Sequence, residues 1–387
     1  MLSLGGLRPR KKNHPLPNLN GPISRIPSLD GLRALAVLVV FVGHGRTDQG
    51  QWPGYAGVTV FFFLSGFLIT TLLRKELEQT RSISLSRFYL RRAFRILPVT
   101  YLTIALSLGL AAAGALSSGI SAKAVLAEVL NYTNYYIVAT DWQSLPPQTS
   151  QMWSLAVEEQ YYLIVPLALL LAYRWGARRT QVGWALVLIA LLVPVWRVFL
   201  GVNGADFDRL YFSTDTRIDS ILWGAAFALL LNPVMGHTLR FPGWLRGWLR
   251  GWLSRKLGWI AATATVVFLI TAAVPFLSFR LSVATTIQCI CLIPMFWFVI
   301  TRPTTWIGRL LNGRLLVRLG VLSFSFYLLH KMVLALVGPL IDAPILTDSL
   351  SLVVTVVVSQ VAFWLVEAPF TRLRVRIENR FLPLGGG

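Results

Sequence analysis

Residues 58–75 read VTVFFFLSGFLITTLLRK, sixteen positions without a charged side chain closed by Arg74 and Lys75. About 20 apolar residues of helix cross a hydrocarbon core, and a helix that is apolar on every side belongs in a large core or in lipid. The same reading recurs at 97–116, 182–200 and 350–366. Of the 387 residues 55% are hydrophobic and 13% charged, against roughly 25% charged in soluble domains. Working outward, ten spans are read near 29–45, 58–73, 96–117, 152–173, 182–200, 211–231, 257–275, 281–301, 319–340 and 347–367. The expected fold class is all-α, a polytopic transmembrane helix bundle of ten helices.

The formal net charge of +20 is distributed by topology. Cytoplasmic loops carry the excess of Lys and Arg in membrane proteins. With both termini in the cytoplasm, the inside segments hold 28 of the 36 Lys and Arg, and the outside loops hold only Arg46, Lys123, Arg209 and Arg280. The remaining four, Arg33, Arg197, Arg217 and Lys331, fall inside spans. Nucleic acid is not needed to explain the charge. The expected location is the cell membrane, with a tail over 1–28, a transmembrane domain over 29–370 and a basic cytoplasmic tail over 371–387. Ser28 or Asp30 is expected to cap the first helix, and one surface helix is expected over Ala124–Tyr136. Gly243–Leu253 reads GWLRGWLRGWL, a Trp/Arg alternation suited to interfacial anchoring. Cys289 and Cys291 stand alone in the eighth span and read as core, and no metal site is expected.

A charge at bilayer depth costs roughly 2.5–3.5 kcal/mol on insertion scales, so each one asks for a reason. Arg33 and His44 bracket the first span. Glu158 and Glu159 lie in WSLAVEEQYY, Asp215, Arg217 and Asp219 in DTRIDSILWG, and His330 beside Lys331 in SFSFYLLHK. Eleven helical residues bring Arg33 and His44 to within about 20° of one face and roughly 16 Å apart. That suits a long ligand with an anionic end and a reactive end, as a coenzyme A thioester is. Arg binds phosphate bidentately, and His is the usual general base. A packing role, with the ring donating to a neighbouring carbonyl, stays open for both His44 and His330. By chain direction the carboxylates of spans four and six start in the same outer half as His44. One of them is expected beside its ring, and Arg217 is expected to pair with Asp215 or Glu158. Arg87, Arg91, Arg92 and Arg95 share a helix face, as topology anchors or as phosphate ligands. Ser65, Ser323 and Tyr327 read first as packing hydroxyls.

At these residues the sequence resembles the acyltransferase-3 family of membrane acyltransferases. SLDGLRALAVLVVFVGH (28–44) holds the paired Arg33 and His44. VFFFLSGFLIT (60–70), RRAFRILP (91–98), WSLAVEEQYY (153–162), TRIDSILWG (216–224), SFSFYLLH (323–330) and EAPF (367–370) follow in the family's order. The resemblance implies O-acyl transfer from an acyl-CoA, with acetyl expected, to a carbohydrate or glycosylated acceptor. It makes His44 the catalytic histidine, as general base or transient acyl carrier, assisted by Glu158 or Glu159. It makes Arg33, Arg92 and Arg95 donor-binding, and leaves Asp215, Arg217, Asp219, Tyr327 and His330 as acceptor-side or structural. Acyl-CoA is then a substrate, and no permanently bound cofactor is expected. The chain is expected to lack the SGNH-type domain of larger members, which leaves a partner acyltransferase open. The rival reading is a transporter or flippase for a lipid-linked sugar, since intramembrane His, Glu, Asp and Arg also build proton relays.

Overall fold

The computed structural model describes residues 26–47, 53–116, 119–140, 142–235 and 243–381, with side chains from Arg255 to Arg380 in the last segment. Residues 1–25 of the expected tail, the side chains of the 243–253 repeat, and residues 382–387 lie outside the described residues. The described chain is helical, without a strand. Its helices are α1 Pro27–Val42, α2 Gly54–Thr80, α3 Leu85–Ala112, α4 Ala122–Val129, α5 Thr133–Ala139, α6 Met152–Arg174, α7 Arg179–Val202 and α8 Phe207–Phe212. There follow α9 Thr214–Leu230, α10 Gly243–Ala273, α11 Leu277–Phe279, α12 Thr285–Thr301, α13 Trp306–Leu311, α14 Arg314–Val337, α15 Pro344–Ala362 and α16 Ala368–Phe381. Single π-helical turns at Arg280–Ala284 and Phe363–Glu367 join α11 to α12 and α15 to α16.

Eight helical segments among the described residues are long and apolar enough to cross a membrane. The protein is a polytopic helical membrane protein. The spans expected at 29–45 and 211–231 are shorter, 16 residues in α1 and 17 in α9. Ser213 has extended backbone (φ −70°, ψ 145°) and separates α8 from α9. Of the two, α9 is interior, packed on α2 and α7, whereas α1 packs on α2 and α14 and leaves Leu35, Val39 and Val42 exposed along its outer side. A helix wrapped by others, as α9 is, has no lipid face to match. The outer helices show the opposite pattern. Leu188, Leu192 and Val195 of α7 and Leu269 of α10 are exposed, a surface that hydrocarbon solvates without cost.

The contact of α2 with α9 rests on two glycines that both motifs contain. A Cβ on Gly66 would fall 1.9 Å from the Ile221 carbonyl oxygen, and one on Gly224 would fall 1.9 Å from that of Phe63. Small residues let backbones touch where lipid gives no hydrophobic drive to association. Phe63 and Phe67 then meet Phe227 and Phe296, with ring centroids 4.8–6.3 Å apart.

Two local expectations are corrected. α1 starts at Pro27, with Ile26 at the N-cap and no side-chain cap. Proline's fixed φ and missing N–H suit the first helical position, so Ser28 and Asp30 fall inside the first turn. The single helix expected over Ala124–Tyr136 is broken between α4 and α5, where Asn131 takes φ 56°, a left-handed conformation that Asn tolerates better than most residues.

On α4, outside the spans, Glu128 is buried and accepts the Thr149 hydroxyl, and its Oε2 has no partner. Burial pushes its carboxyl up to about 8, so the folded segment favours the protonated acid. This contribution is complete below the ordinary carboxylate range and is lost as pH rises through about 8. The thermal midpoint of the wild type in detergent is expected to fall between pH 5 and 9. Glu128→Gln, isosteric with the acid, is expected to flatten that slope; equal slopes would show that another group carries it.

Candidate active site

Two cavities meet inside the bundle. The first, about 110 Å³, is lined by Arg33 of α1, Arg92 and Arg95 of α3, Glu158 and Tyr162 of α6 and Glu367 of the second π turn. The second, about 340 Å³, is lined by His44, Gln151, Arg217, Arg280 and Lys331 among a set of aromatic rings. Val58 of α2 and Tyr327 of α14 line both and form the neck between them.

Two of the arginines of the first cavity are placed by α3, whose i, i+3 spacing puts Arg92 and Arg95 on one face. The Arg92 guanidinium lies over the rings of Tyr162 at 5.1 Å and Phe88 at 5.7 Å. Such stacking suits Arg and would not suit Lys. Arg33 is only loosely paired with Asp30, at 3.9 Å. The Tyr162 hydroxyl donates to Glu158 Oε2 at 2.9 Å and meets the Ser65 hydroxyl, while Glu367 accepts from Ser325. Both carboxylates are therefore held by hydroxyls and leave the arginines unclaimed by a close ion pair. Of the adjacent acids, Glu158 lines the cavity; Glu159 does not, and its Oε1 is buried without a partner.

His44 lies two residues beyond α1, in a turn closed by its backbone N–H on the Phe41 carbonyl (3.0 Å). The same-face relation with Arg33 thus holds only as far as Val42, and the two residues reach adjoining cavities rather than one. His44 Nδ1 is 2.9 Å from the Val40 carbonyl and His330 Nδ1 is 2.6 Å from the Tyr327 carbonyl. A carbonyl only accepts, so each Nδ1 carries a proton. His330 Nε2 then presents its lone pair to the His44 Nδ1–H, 3.4 Å away, and the basic nitrogen of His44 is Nε2. The ring is oriented by a second imidazole and a carbonyl. Among the described residues, none of the carboxylates of spans four and six is hydrogen-bonded to it: Glu158 lines the arginine cavity, one helix turn along from Ser154.

The acidic motif of α9 also divides differently from expectation. Asp215 pairs with Arg209 at 2.6 Å and accepts from the Trp196 indole at 2.7 Å. Asp219 pairs with Arg197 of α7 at 2.8 Å, both fully buried, and Thr286 Oγ1 and the Ser220 N–H complete its shell. Arg217 pairs with neither Asp215 nor Glu158. Its Nη1 donates to Thr285 Oγ1 at 3.1 Å, and its guanidinium lies over Tyr211, Trp153 and Phe62. Tyr327 donates to the Gln151 carbonyl at 3.1 Å and meets Ser154 at 2.6 Å, so it is tied to α6 as well as lining the neck. Residues not singled out beforehand are Tyr162, Glu367 and Arg280. The first two sit in EEQYY and EAPF, and Tyr162 follows Glu158 by one helical turn. Arg280 carried no signal beyond its loop charge.

A family model described as an acyltransferase domain matches residues 26–366. A putative O-acetyltransferase of Staphylococcus aureus strain COL, SACOL0978, is 28% identical over 374 residues, covering 92% of this chain and 58% of that protein. The peptidoglycan O-acetyltransferase OatA of Listeria monocytogenes is 28% identical over 368 residues, 90% of this chain and 56% of OatA. The putative peptidoglycan O-acetyltransferase YrhL of Bacillus subtilis is 29% identical over 361 residues, 89% of this chain and 54% of YrhL. The chain thus spans somewhat over half the length of these relatives. No solved structure matches. With the matched region running from before α1 to the second π turn, and so across both cavities, this chain belongs to the acyltransferase-3 family.

Proposed function

We propose that the protein transfers an acetyl group from acetyl-CoA to a hydroxyl of a carbohydrate acceptor, across the neck between the two cavities. The observation that carries this is their division of chemistry: arginines without close ion pairs on one side, an oriented basic histidine on the other, Val58 and Tyr327 between. Coenzyme A phosphates dock on Arg33, Arg92 and Arg95 from the cytoplasmic side, where the basic loops lie. The thioester reaches the neck. His44 Nε2 takes the proton of the acceptor hydroxyl as its oxygen attacks the thioester carbon. The tetrahedral intermediate collapses with loss of the CoA thiolate, which recovers that proton from His44. In the alternative order His44 Nε2 is itself acylated, releasing the thiolate, and the acceptor hydroxyl then takes the acyl group, its proton passing to the thiolate as the neutral imidazole is restored. A quench of radiolabelled acetyl-CoA turnover separates the two by the presence or absence of labelled protein.

Arg92→Gln and Arg95→Gln are each expected to raise the KM for acetyl-CoA by about tenfold or more, as loss of a charge-assisted phosphate contact does. Acetyl-pantetheine, which lacks the nucleotide phosphates, is expected to react equally with wild type and variants. Unchanged KM values would remove the arginines from the donor site. If no acyl-CoA binds or loses its thiol in lipid nanodiscs, acyl transfer is wrong and the transport reading takes its place.

A further inference from the structure

We propose that the cavity beside His44 is built for an acceptor sugar that carries a negative charge, a carboxylate or a phosphate. This rests on the reading of that cavity as the acceptor site. Arg217, Arg280 and Lys331 line it, and among the described residues no Asp or Glu does. The decisive group is Arg217. It is 3% exposed, and its Nε and Nη2 have no hydrogen-bond partner. These two nitrogens form one edge of the guanidinium, the fork that takes a carboxylate or phosphate with two parallel hydrogen bonds.

Nothing on its own helix fills that fork. Asp215 is held by Arg209 and Trp196, and Asp219 by Arg197 and Thr286. The rings of Tyr211, Trp153 and Phe62 lie 5.1, 5.7 and 6.0 Å from the guanidinium carbon. They offset part of its charge through their π-faces, but they offer no lone pair to the edge. The other two cations are similarly partnered by neutral groups. Arg280 lies 4.4 Å over the Tyr55 ring, and Lys331 Nζ donates to Ser150 Oγ at 2.6 Å. A further hollow reached through Trp142, Ser150 and Lys331 is also without Asp or Glu among the described residues. A buried guanidinium with an unfilled edge, flanked by two half-buried cations and by no carboxylate among the described lining residues, is costly, and a neutral acceptor would leave that cost in place. An anionic one removes it on binding. Trp142, Trp153 and Tyr211 supply apolar faces for the C–H side of a sugar ring.

The probes are methyl glucoside, glucuronate and glucose 6-phosphate, titrated against the full chain in nanodiscs by saturation-transfer difference NMR. At least one charged sugar is expected to bind about tenfold or more tighter than the glucoside, and the tighter of the two names the acidic group. Arg217→Gln is expected to abolish the preference. Arg280→Gln, at a half-buried position, is expected to weaken it and serves if the first variant misfolds. Equal affinities, no binding of any sugar, or a preference that survives both variants would overturn the proposal. Thiol release from acetyl-CoA by the same preparation reports separately on acyl transfer. Release without charge preference rejects only the anionic site; preference without release rejects acyl transfer.

Discussion

His44→Ala is expected to lower thiol release from acetyl-CoA by ~10³-fold, the middle of the range for loss of a general base. The reason is the tautomer imposed by Val40 and His330, which leaves Nε2 as the basic atom in the second cavity. His330→Ala removes the imidazole that faces the His44 Nδ1–H but leaves the Val40 carbonyl in place. Its effect is expected to be about tenfold, with a displaced pH–rate profile, as for a positioning group. A merely structural His330 would change the amount of folded protein and leave the profile where it was. Thiol release from wild type and His44→Ala, each checked for monodispersity, decides the matter. Equal rates would remove His44 from the chemistry.

Asp219→Ala is expected to destabilise the bundle by about 3–5 kcal/mol, the cost of breaking a buried ion pair by removing one member. Arg197 would be left buried with its Nη2 facing only Thr286, and the Thr286 hydroxyl would lose its acceptor. Replacing both members, Arg197→Met with Asp219→Leu, is expected to recover most of that loss, because the two charges then leave the interior together. Unfolding by SDS titration in mixed micelles measures both. If the double variant is no more stable than the single one, the pair contributes more than mutual neutralisation.

The general architecture was legible in the sequence for a simple reason. Hydrocarbon solvates only one kind of surface, so apolar length reports a span wherever a helix meets lipid, as in α7 and α10. It reports less well for α9, which other helices enclose and which needs no full lipid-crossing length, and for α1, which ends at Val42. Arg33, His44 and His330 could be singled out because a charge or imidazole at depth is expensive, and Arg92 and Arg95 because they share a basic helix face and fall in RRAFRILP. Their neighbours could not be identified in the same way. Chain direction places Glu158 and His44 in one half of the bilayer, but only the rotation of α6 about its axis decides that Glu158 faces the arginines. Likewise Asp219 could not be assigned to Arg197 rather than Arg217, since both arginines lie within reach of α9 and the choice depends on how α7 is turned.

The neck at Val58 and Tyr327 has a consequence for the cell's energy supply. Acyl transfer between the two cavities, as proposed, would risk a leak of protons and sodium ions down the membrane potential. In the first chamber Glu158 and Glu367 stand with the three arginines, whereas the second is lined by Arg217, Arg280 and Lys331 with no Asp or Glu among the described residues. Fixed positive charge raises an electrostatic barrier to small cations, as it does in selective pores. The cations proposed to hold the acceptor would therefore also oppose the passage of small cations through the neck.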